Sequence, residues 1–238
     1  MPTTRMKEQL SDYGRAVIAA KLSAIAYKNE KPAITAAKKL GFAWVKLISR
    51  DGAEVLVAKD RNDIWFAFRG TEPSKLNDVM ADLNVIKNAA KAGGRVHSGF
   101  QQEVNDLWMD ILKELEHNDQ LKVRKDVYMT GHSLGAAMAT IAATRYQPHE
   151  LFTFGSPRVG GPRFIKNIKC PHYRFMNNND IVCRIPPAWL GFRHHGEMIY
   201  FNCCLLYTSD AADEGLSVDL GGRRIIKKKS GGGGGGGG

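Results

Sequence analysis

The sequence predicts an α/β protein with a mainly parallel central sheet flanked by helices, preceded by an N-terminal helix and a β-hairpin. Three observations support this fold class. β-type runs alternate with helical segments from about residue 63 onward, Asp51-Gly52 separates two earlier β-type runs, and 43% of the 238 residues are hydrophobic. Alternating strands and helices favour a parallel sheet, because each parallel pair of strands needs a crossover connection. We expect a single domain over residues 1–203, since no linker-like composition interrupts them.

The N-terminal part of the chain predicts one helix and three strands. Residues 6–28 space their apolar side chains at near-helical intervals, which indicates a helix. Three β-type runs follow, at residues 42–48, 53–58 and 63–68. An Asp-Gly pair between the first two runs is typical of a primed hairpin turn, because that turn needs positive φ angles.

The middle and C-terminal parts supply the alternating helices and strands. A short helix is predicted within residues 71–87, followed by a glycine-rich break and a long amphipathic helix over 98–117. Further along, the predicted elements are a strand at 127–130, an alanine-rich helix, a strand at 150–156, a short helix near 162–168, and strands at 173–177 and 197–201.

Composition excludes several classes of protein. The formal net charge of +10 favours contact with anionic membrane or lipid surfaces, but the sequence carries no nucleic-acid-binding motif, so no nucleic-acid partner is expected. The four cysteines lack the spacing of a zinc site or a disulfide framework, so neither a metal nor a cofactor is expected. No apolar run approaches the ~18 residues of a membrane helix. The N-terminus lacks the apolar stretch of a signal peptide, which makes a cytoplasmic location the default expectation.

Residues 204–238 differ abruptly from the rest of the chain. They show no hydrophobic period and end in a lysine run followed by eight glycines. The string LLYTSDAADE resembles the translation of a transposase-type sequencing adapter, and the terminal runs resemble homopolymer reads. We therefore expect residues 204–238 to be a non-native, disordered tail that begins where the domain is truncated.

Residues 131–135 read GHSLG, with a β-type run before them and a helical run after them. This is the G-x-S-x-G pattern in a strand–turn–helix context, which places a serine hydroxyl on a sharp turn above a sheet edge. Ser133 is therefore the candidate nucleophile. The N–H of Leu134 lies at the start of the following helix and is a candidate oxyanion donor. Thr71, which directly follows the strand end FRG, is the second candidate oxyanion donor.

A serine nucleophile needs a base and an acid that orients the base. In this pattern both follow the serine, in the order acid and then histidine. Asp180 is the best candidate acid, because it comes just after the predicted strand at 173–177. Glu150 opens a strand at the wrong end, and Glu197 follows the candidate histidines.

The candidate bases are the histidines that follow the serine and its helix, namely His172, His194 and His195. His172 precedes Asp180, which breaks the expected order. The residues alone leave the choice between the neighbours His194 and His195 open.

Six motifs stand in order along the chain: FRGT, VHSGF, GHSLGAA, FGSPRVG, NNDIVCRIPP and GFRHHGE. Together they resemble the class 3 lipases, the fungal lipase-like family of α/β hydrolases, over residues 14–202. The resemblance implies an α/β-hydrolase fold. It also implies a serine carboxylester hydrolase, a lipase that cleaves acylglycerol-type lipid esters through an acyl-enzyme.

The resemblance also implies a role for each site residue. Ser133, Asp180 and His194 would form the catalytic triad, and Thr71 and Leu134 would donate to the oxyanion. Two alternatives stay open for the function. One is a phospholipase or galactolipase of the same fold, and the other is a catalytically silent lipid-binding module.

In the family that the sequence resembles, a lid lies between the FRGT and VHSGF motifs, which here means residues 73–95. Such a lid normally turns an apolar face, often with a tryptophan, toward the lipid. This segment contains no aromatic residue. The composition therefore predicts weak interfacial activation toward the expected partner, a lipid ester substrate.

Overall fold

The computed structural model describes residues 12–71, 87–91, 93–120, 124–178, 180–201, 206–209, 216–219 and 226–227. The helices in these ranges are α1 (Asp12–Ile25), α2 (Glu30–Lys39), α3 (Ser98–Asp119), α4 (Leu134–Arg145) and α5 (Pro162–Ile165). The strands are β1 (Trp44–Arg50), β2 (Ala53–Lys59), β3 (Asp63–Phe68), β4 (Lys87–Ala89), β5 (Arg95–His97), β6 (Asp126–His132), β7 (Glu150–Phe154), β8 (His172–Asn177), β9 (Glu197–Phe201), β10 (Leu206–Ser209), β11 (Leu216–Asp219) and β12 (Ile226–Lys227). None of the helices in the described ranges is long and apolar enough to cross a membrane.

Ten of the described strands form one sheet, in the order β1-β2-β3-β6-β7-β8-β9-β10-β11-β12. The central strands β3, β6, β7, β8 and β9 are parallel to one another. Antiparallel strands flank them on both sides, with the hairpin of β1 and β2 at one edge. The predicted fold class, with a parallel central sheet flanked by helices, is confirmed.

The helices cover both faces of this sheet. On one face, α3 packs through a row of buried apolar side chains, namely Phe100, Val104, Leu107, Ile111 and Leu115. On the other face, Leu22 of α1 packs near Trp65 and Tyr128, whose stacked rings have centroids 4.4 Å apart. Because successive side chains of a strand point to opposite faces, Phe66 joins the first core and its neighbour Trp65 the second.

The turn between β1 and β2 has the conformation that its sequence predicts. Asp51 has a φ of 50° and Gly52 a φ of 89°, as a primed turn requires. The strands on either side pair in continuous register from Trp44–Lys59 to Arg50–Ala53. The predicted antiparallel hairpin is confirmed.

The long amphipathic helix and the strands predicted after it are also confirmed, with bounds that shift by one or two residues. α2 was not predicted, because it buries only two alanines, Ala33 and Ala37, and so shows little hydrophobic period. Residues 72–86, which hold most of the predicted short helix and much of the predicted lid, lie outside the described residues. The described end of the lid segment contributes β4 and the first residue of β5.

Part of the predicted disordered tail is strand in the structure. β10 hydrogen-bonds antiparallel to the open edge of β9, and β11 and β12 continue the sheet outward. An edge strand offers unpaired N–H and C=O groups, so it can order a neighbouring segment. The structure therefore differs from the predicted disorder at residues 206–209, 216–219 and 226–227. The non-native origin of residues 204–238 stays a prediction.

Replacing Ile111 by alanine is expected to destabilise the protein by about 2–5 kcal/mol, because the fully buried side chain would leave a cavity between α3 and the sheet. Met109→Ala on the same helix is the matched control. Met109 is 63% exposed, so its loss should change the free energy of unfolding by no more than about 0.5 kcal/mol. Urea unfolding followed by circular dichroism measures both variants. Equal losses of stability would contradict the assigned buried face of α3.

Candidate active site

The turn between β6 and α4 holds Ser133 in a strained conformation. Its φ of 56° and ψ of −123° lie outside the regions that residues with a Cβ normally adopt, at a cost of about 1–3 kcal/mol. The Ser133 N–H donates to the Phe154 carbonyl over 2.9 Å, which ties the turn to the end of β7. The predicted sequence of strand, sharp turn and helix is therefore present around this serine.

Three glycines allow the backbone to close around this turn. A Cβ at Gly131 would overlap the Gly135 backbone, and a Cβ at Gly135 would overlap the Phe68 carbonyl. A Cβ at Gly70 would lie 2.5 Å from the His132 carbonyl oxygen. The end of β3 is therefore packed directly against the start of α4.

The same close packing brings the two predicted oxyanion residues to one region. Leu134 is the first residue of α4, where backbone N–H groups have no acceptor within the helix. Thr71 follows Gly70, which contacts the turn, and its side chain is half-buried. Backbone N–H groups on two adjacent segments beside a nucleophile can stabilise a tetrahedral oxyanion.

Asp180 lies at the same edge of the sheet as Ser133, just beyond the end of β8. Its Oδ1 accepts a hydrogen bond from the Val182 N–H at 2.9 Å, and its Oδ2 accepts one from Cys183 Sγ at 3.8 Å. Oδ2 also lies 2.7 Å from the point that a Cβ would occupy at Gly155. An open cavity of about 460 Å³ borders the carboxylate. The structure thus brings the predicted acid and the predicted nucleophile to one edge.

Tyr27 and His132 form a hydrogen-bonded pair beside the Ser133 turn, which sequence reasoning missed. The Tyr27 hydroxyl lies 2.8 Å from His132 Nδ1. Burial raises the pKa of Tyr27 to about 12, despite the nearby charge of Arg69, so the hydroxyl stays protonated and donates. Burial also lowers the pKa of His132, which the charge of Asp180 partly opposes. A neutral His132 that accepts at Nδ1 carries its proton on Nε2, which lies 3.4 Å from the Cβ point at Gly155.

The position of Tyr27 follows from the way α1 is attached to the sheet. Arg15 donates two hydrogen bonds to the Glu150 carboxylate, at 2.6 and 2.9 Å, and the hydroxyls of Ser23 and Thr130 lie 2.9 Å apart. The bonds from Arg15 place Glu150 in an ion pair at the amino end of β7. Its carboxylate therefore holds α1 and is not part of the candidate site. In the sequence, the available signal for this contact was the position of Tyr27, just past the end of a helix of small apolar residues.

His194 makes no hydrogen bond to Ser133 Oγ in the described residues, which differs from the contact that the predicted triad requires. β9 runs parallel to β8, and Glu197 at its start pairs with Tyr173 near the start of β8. The loop from Asp180 to His194 therefore crosses the sheet from its carboxyl edge to its amino edge. Ser133 Oγ is buried and makes no hydrogen bond in the described part of the chain.

The contacts of His194 fit this placement. Its Nε2 donates to the Cys183 carbonyl over 2.8 Å. His194 lines a small pocket that Thr140 also lines. Thr140 lies seven residues along α4 from Ser133, or about 10 Å. Cys183 is the link to the acid, because its Sγ donates to Asp180. The histidine thus contacts the loop of the acid but not the nucleophile.

His195 turns toward the amino edge of the sheet. Its Nδ1 lies 3.2 Å from Nδ1 of His172, the first residue of β8, and the two rings are stacked. Nε2 of His172 in turn lies 2.9 Å from the Thr153 hydroxyl. Gly196 packs so tightly on His172 that a Cβ there would lie 2.5 Å from the His172 carbonyl oxygen. These contacts anchor the loop before β9, and they leave His195 remote from the nucleophile.

Burial keeps these imidazoles neutral. It lowers the pKa of His194 to about 4, helped by the charges of Arg174 and Arg158 and opposed by the bond to Cys183. The pKa of His172 is lowered well below its ordinary value, first by burial and then by electrostatic interaction with His195, Arg174 and His194.

The free energy of unfolding is expected to fall as the pH drops below about 6.5, the ordinary pKa of histidine. Because the folded-state pKa values of His172 and His194 are lowered, the unfolded state binds more protons in this range. Each group contributes a slope of about 1.4 kcal/mol per pH unit until its folded-state pKa is reached. Urea titrations between pH 8 and pH 4 measure the slope.

His194→Gln should make that slope shallower, because it removes one of the buried imidazoles whose pKa is lowered. A stability that stays flat or rises on acidification would contradict the assigned neutral state of the buried imidazoles.

A known protein family matches the part of the chain that holds the central strands and the candidate site. Residues 65–189 match the family model of the class 3 lipases, which is more than half of the chain. The matched region runs from β3 through the Ser133 turn and Asp180 to the 3₁₀ turn before His194. It therefore contains the nucleophile and acid positions but not the predicted base.

Curated relatives agree with the family match. The chain is 32% identical to a lipase of Rhizopus niveus over 176 residues, covering 66% of this chain and 43% of that protein. It is 34% identical to a lipase of Rhizomucor miehei over 172 residues, covering 65% and 46%. It is also 34% identical to the secreted mono- and diacylglycerol lipase 1 of Fusarium solani over 152 residues, covering 60% and 45%. The chain thus spans less than half the length of these curated relatives.

Two solved structures share the fold. One is a triacylglycerol lipase whose catalytic centre is a serine-protease triad, with a TM-score of 0.63, 25% identity, and coverage of 79% of this chain and 80% of that chain. The other is a fungal lipase–inhibitor complex that serves as a model for interfacial activation. Its TM-score is 0.65, with 25% identity and 80% of each chain covered.

The relatives correct one expectation. The default cytoplasmic location is contradicted, because relatives from Fusarium solani and Malassezia restricta are secreted lipases. The missing signal-peptide pattern at the N-terminus was an unsound basis for that default. The sheet order, the strained serine turn and the family match agree with one another, and this chain belongs to the class 3 lipase family.

Proposed function

We propose that the chain forms the nucleophile-bearing part of a serine carboxylester hydrolase, a lipase that acts on acylglycerol-type esters. The observation that carries this proposal is the strained turn at Ser133, packed against the segment of Thr71 and followed by the free helix start at Leu134. In the proposed reaction Ser133 Oγ attacks the ester carbonyl. The N–H groups of Thr71 and Leu134 stabilise the oxyanion, the alcohol leaves, and water releases the acid from the acyl-enzyme.

Asp180 is the proposed acid of the triad. Its position beyond the end of β8 puts its carboxylate at the same edge as Ser133, beside an open cavity. A base between the two must offer one ring nitrogen to the serine and the other to the acid. The bonds from Val182 and Cys183 hold the carboxylate in place for that contact.

No histidine of the described residues makes a hydrogen bond to Ser133 Oγ. All seven lie in the described residues: His97, His117, His132, His149, His172, His194 and His195. His117 is exposed on α3, and His149 lies 3.0 Å from Asp126 at the amino end of β6. The ring of His97 is stacked on Phe100, and His132 is engaged by Tyr27.

We therefore propose that the base belongs to a segment of the natural protein that residues 204–238 do not represent. The proposal combines the placement of the seven histidines with the interpretation of residues 204–238 as non-native. The open cavity of about 460 Å³ beside Asp180, lined by Phe154, Phe175 and Phe201, has room for a histidine side chain from such a segment. In this proposal His194 and His195 are structural residues of the loop before β9.

An acylglycerol substrate is favoured over a phospholipid or galactolipid by the relatives, four of which are named as mono- and diacylglycerol lipases of Malassezia and Fusarium. The basic character of the chain supports peripheral contact with anionic lipid surfaces during turnover. The alternative of a catalytically silent lipid-binding module is disfavoured by the strained conformation at Ser133, because strain of this kind is typical of functional sites.

Resequencing the 3′ end of the gene and expressing the resulting protein tests the source of the base. Its kcat on p-nitrophenyl butyrate should exceed that of the 238-residue chain by roughly 10³-fold or more, because losing the base or its tautomer costs about that much. In the resequenced protein, His194→Ala and His195→Ala should each keep turnover within a few-fold. If His194→Ala abolishes turnover in either protein while thermal unfolding shows that the variant still folds, His194 is the base and this proposal fails.

A fluorophosphonate probe tests the nucleophile in the same resequenced protein. Ser133→Ala should abolish covalent labelling, whereas Ser49→Ala should not, because Ser49 is an exposed residue of β1. Asp180→Asn should lower kcat by about 10⁴-fold while thermal stability shows that the protein still folds. A folded parent protein that takes up no probe would favour the silent lipid-binding module.

A further inference from the structure

One residue pair ties the end of β3 to β2, just before the proposed oxyanion residue Thr71. The Arg69 N–H donates to the Glu54 carbonyl over 3.0 Å, and Arg69 Nη1 donates to Glu54 Oε2 over 2.6 Å. Val55 pairs with Phe68 in the register of the two strands, so Glu54 and Arg69 lie directly opposite each other. The pair therefore continues the ladder one residue beyond Phe68, with a backbone bond and a side-chain bond.

The Glu54–Arg69 pair lies on the face of the sheet that α1 covers. Leu56 of β2 and Ala67 of β3 belong to the core on that face. Because side chains alternate along a strand, Glu54 and Arg69 point to the same side. The electrostatic interaction of Arg69 with Tyr27, which follows α1, agrees with this placement. The Arg69 and Glu54 side chains are only 18% and 21% exposed, so their contact is largely shielded from solvent.

The backbone around Arg69 is in close contact with the turn before α4. A Cβ at Gly135, in the first turn of α4, would overlap the Phe68 carbonyl, and a Cβ at Gly70 would lie 2.5 Å from the His132 carbonyl oxygen. Arg69 stands between these two contacts. Packing sets how near the segments lie, whereas the two hydrogen bonds from Arg69 to β2 fix the direction in which the chain leaves the sheet.

The Glu54–Arg69 pair can affect catalysis more than folding. Ion pairs that stay partly exposed add little to the stability of a protein. By contrast, moving a catalytic group by about 1 Å can lower a rate by about 10²-fold. Because the oxyanion forms only in the transition state, a misplaced Thr71 N–H would leave substrate binding intact and slow the chemical step.

We propose that Glu54 is a positioning residue of the reaction, which acts through Arg69 to hold the Thr71 N–H at the oxyanion. The catalytic part of this inference rests on the proposed function, because the oxyanion exists only if Ser133 attacks an ester. The hold on residues 69–71 is a property of the fold, so it can be measured without turnover.

Amide hydrogen exchange of the 238-residue chain measures the hold on residues 69–71. Glu54→Ala should speed exchange of the N–H groups in this segment by about tenfold, because the segment opens locally more often. Glu114→Ala is the matched control. The Glu114 side chain is 15% exposed and pairs with Lys59, at the other end of β2, so its loss should leave exchange at residues 69–71 unchanged.

Steady-state kinetics of the resequenced protein on p-nitrophenyl butyrate test the catalytic role. Glu54→Ala should lower kcat by about 10²-fold and leave KM nearly unchanged. Glu54→Gln keeps an oxygen that accepts from Arg69, so it should restore part of the lost kcat. Glu114→Ala should leave both constants nearly unchanged. Thermal unfolding checks that every variant folds.

Several outcomes would overturn the positioning role of Glu54. These are equal effects of Glu54→Ala and Glu114→Ala on exchange or on kcat, a raised KM with kcat unchanged, and a lost kcat without faster exchange at residues 69–71. Failure of the proposed function is seen separately, as a folded resequenced protein that takes up no fluorophosphonate probe while Glu54→Ala still speeds exchange. That result would leave Glu54 a structural role only.

Discussion

The close approach of three backbone segments around Ser133 is the constraint on which the rest of the site depends. β3, β6 and the start of α4 lie so near to one another that a Cβ at Gly70, Gly131 or Gly135 would overlap neighbouring atoms. This packing holds the serine at a positive φ and keeps the segment of Thr71 beside it. The strain at one residue is offset by the two hydrophobic cores that hold the strands and helices in place.

The direction of the strands decides which other residues share that edge. Chain segments that leave the carboxyl ends of parallel strands meet at one edge, so Asp180 after β8 lies on the same side as Ser133 after β6. A loop that leads into the next parallel strand has to cross the sheet. His194 and His195, which precede β9, therefore lie toward the opposite edge, where His195 contacts His172. The direction of the parallel strands therefore accounts both for the position of Asp180 and for that of the two histidines.

The loop that makes this crossing has two consequences for function. It carries the acid at its start, and it exposes Arg184 and Trp189 farther along. The lid segment contains no aromatic residue, which predicts weak interfacial activation. Arg158 and Arg193 brace the loop through its carbonyl groups, so they couple the acid-bearing segment to the exposed ring.

The sequence by itself determined the features that depend on local chemistry. The Asp51-Gly52 turn, the periodic face of α3 and the GHSLG turn were predictable because near neighbours in the chain fix each of them. The sequence also determined the order of Ser133 and Asp180, but order carries no information about which sheet edge a later histidine reaches. Only the tertiary structure decided that the predicted base lies away from the serine, and that Tyr27 supports the turn through His132. Both facts depend on strand direction and on contacts between distant segments, which a linear pattern does not record.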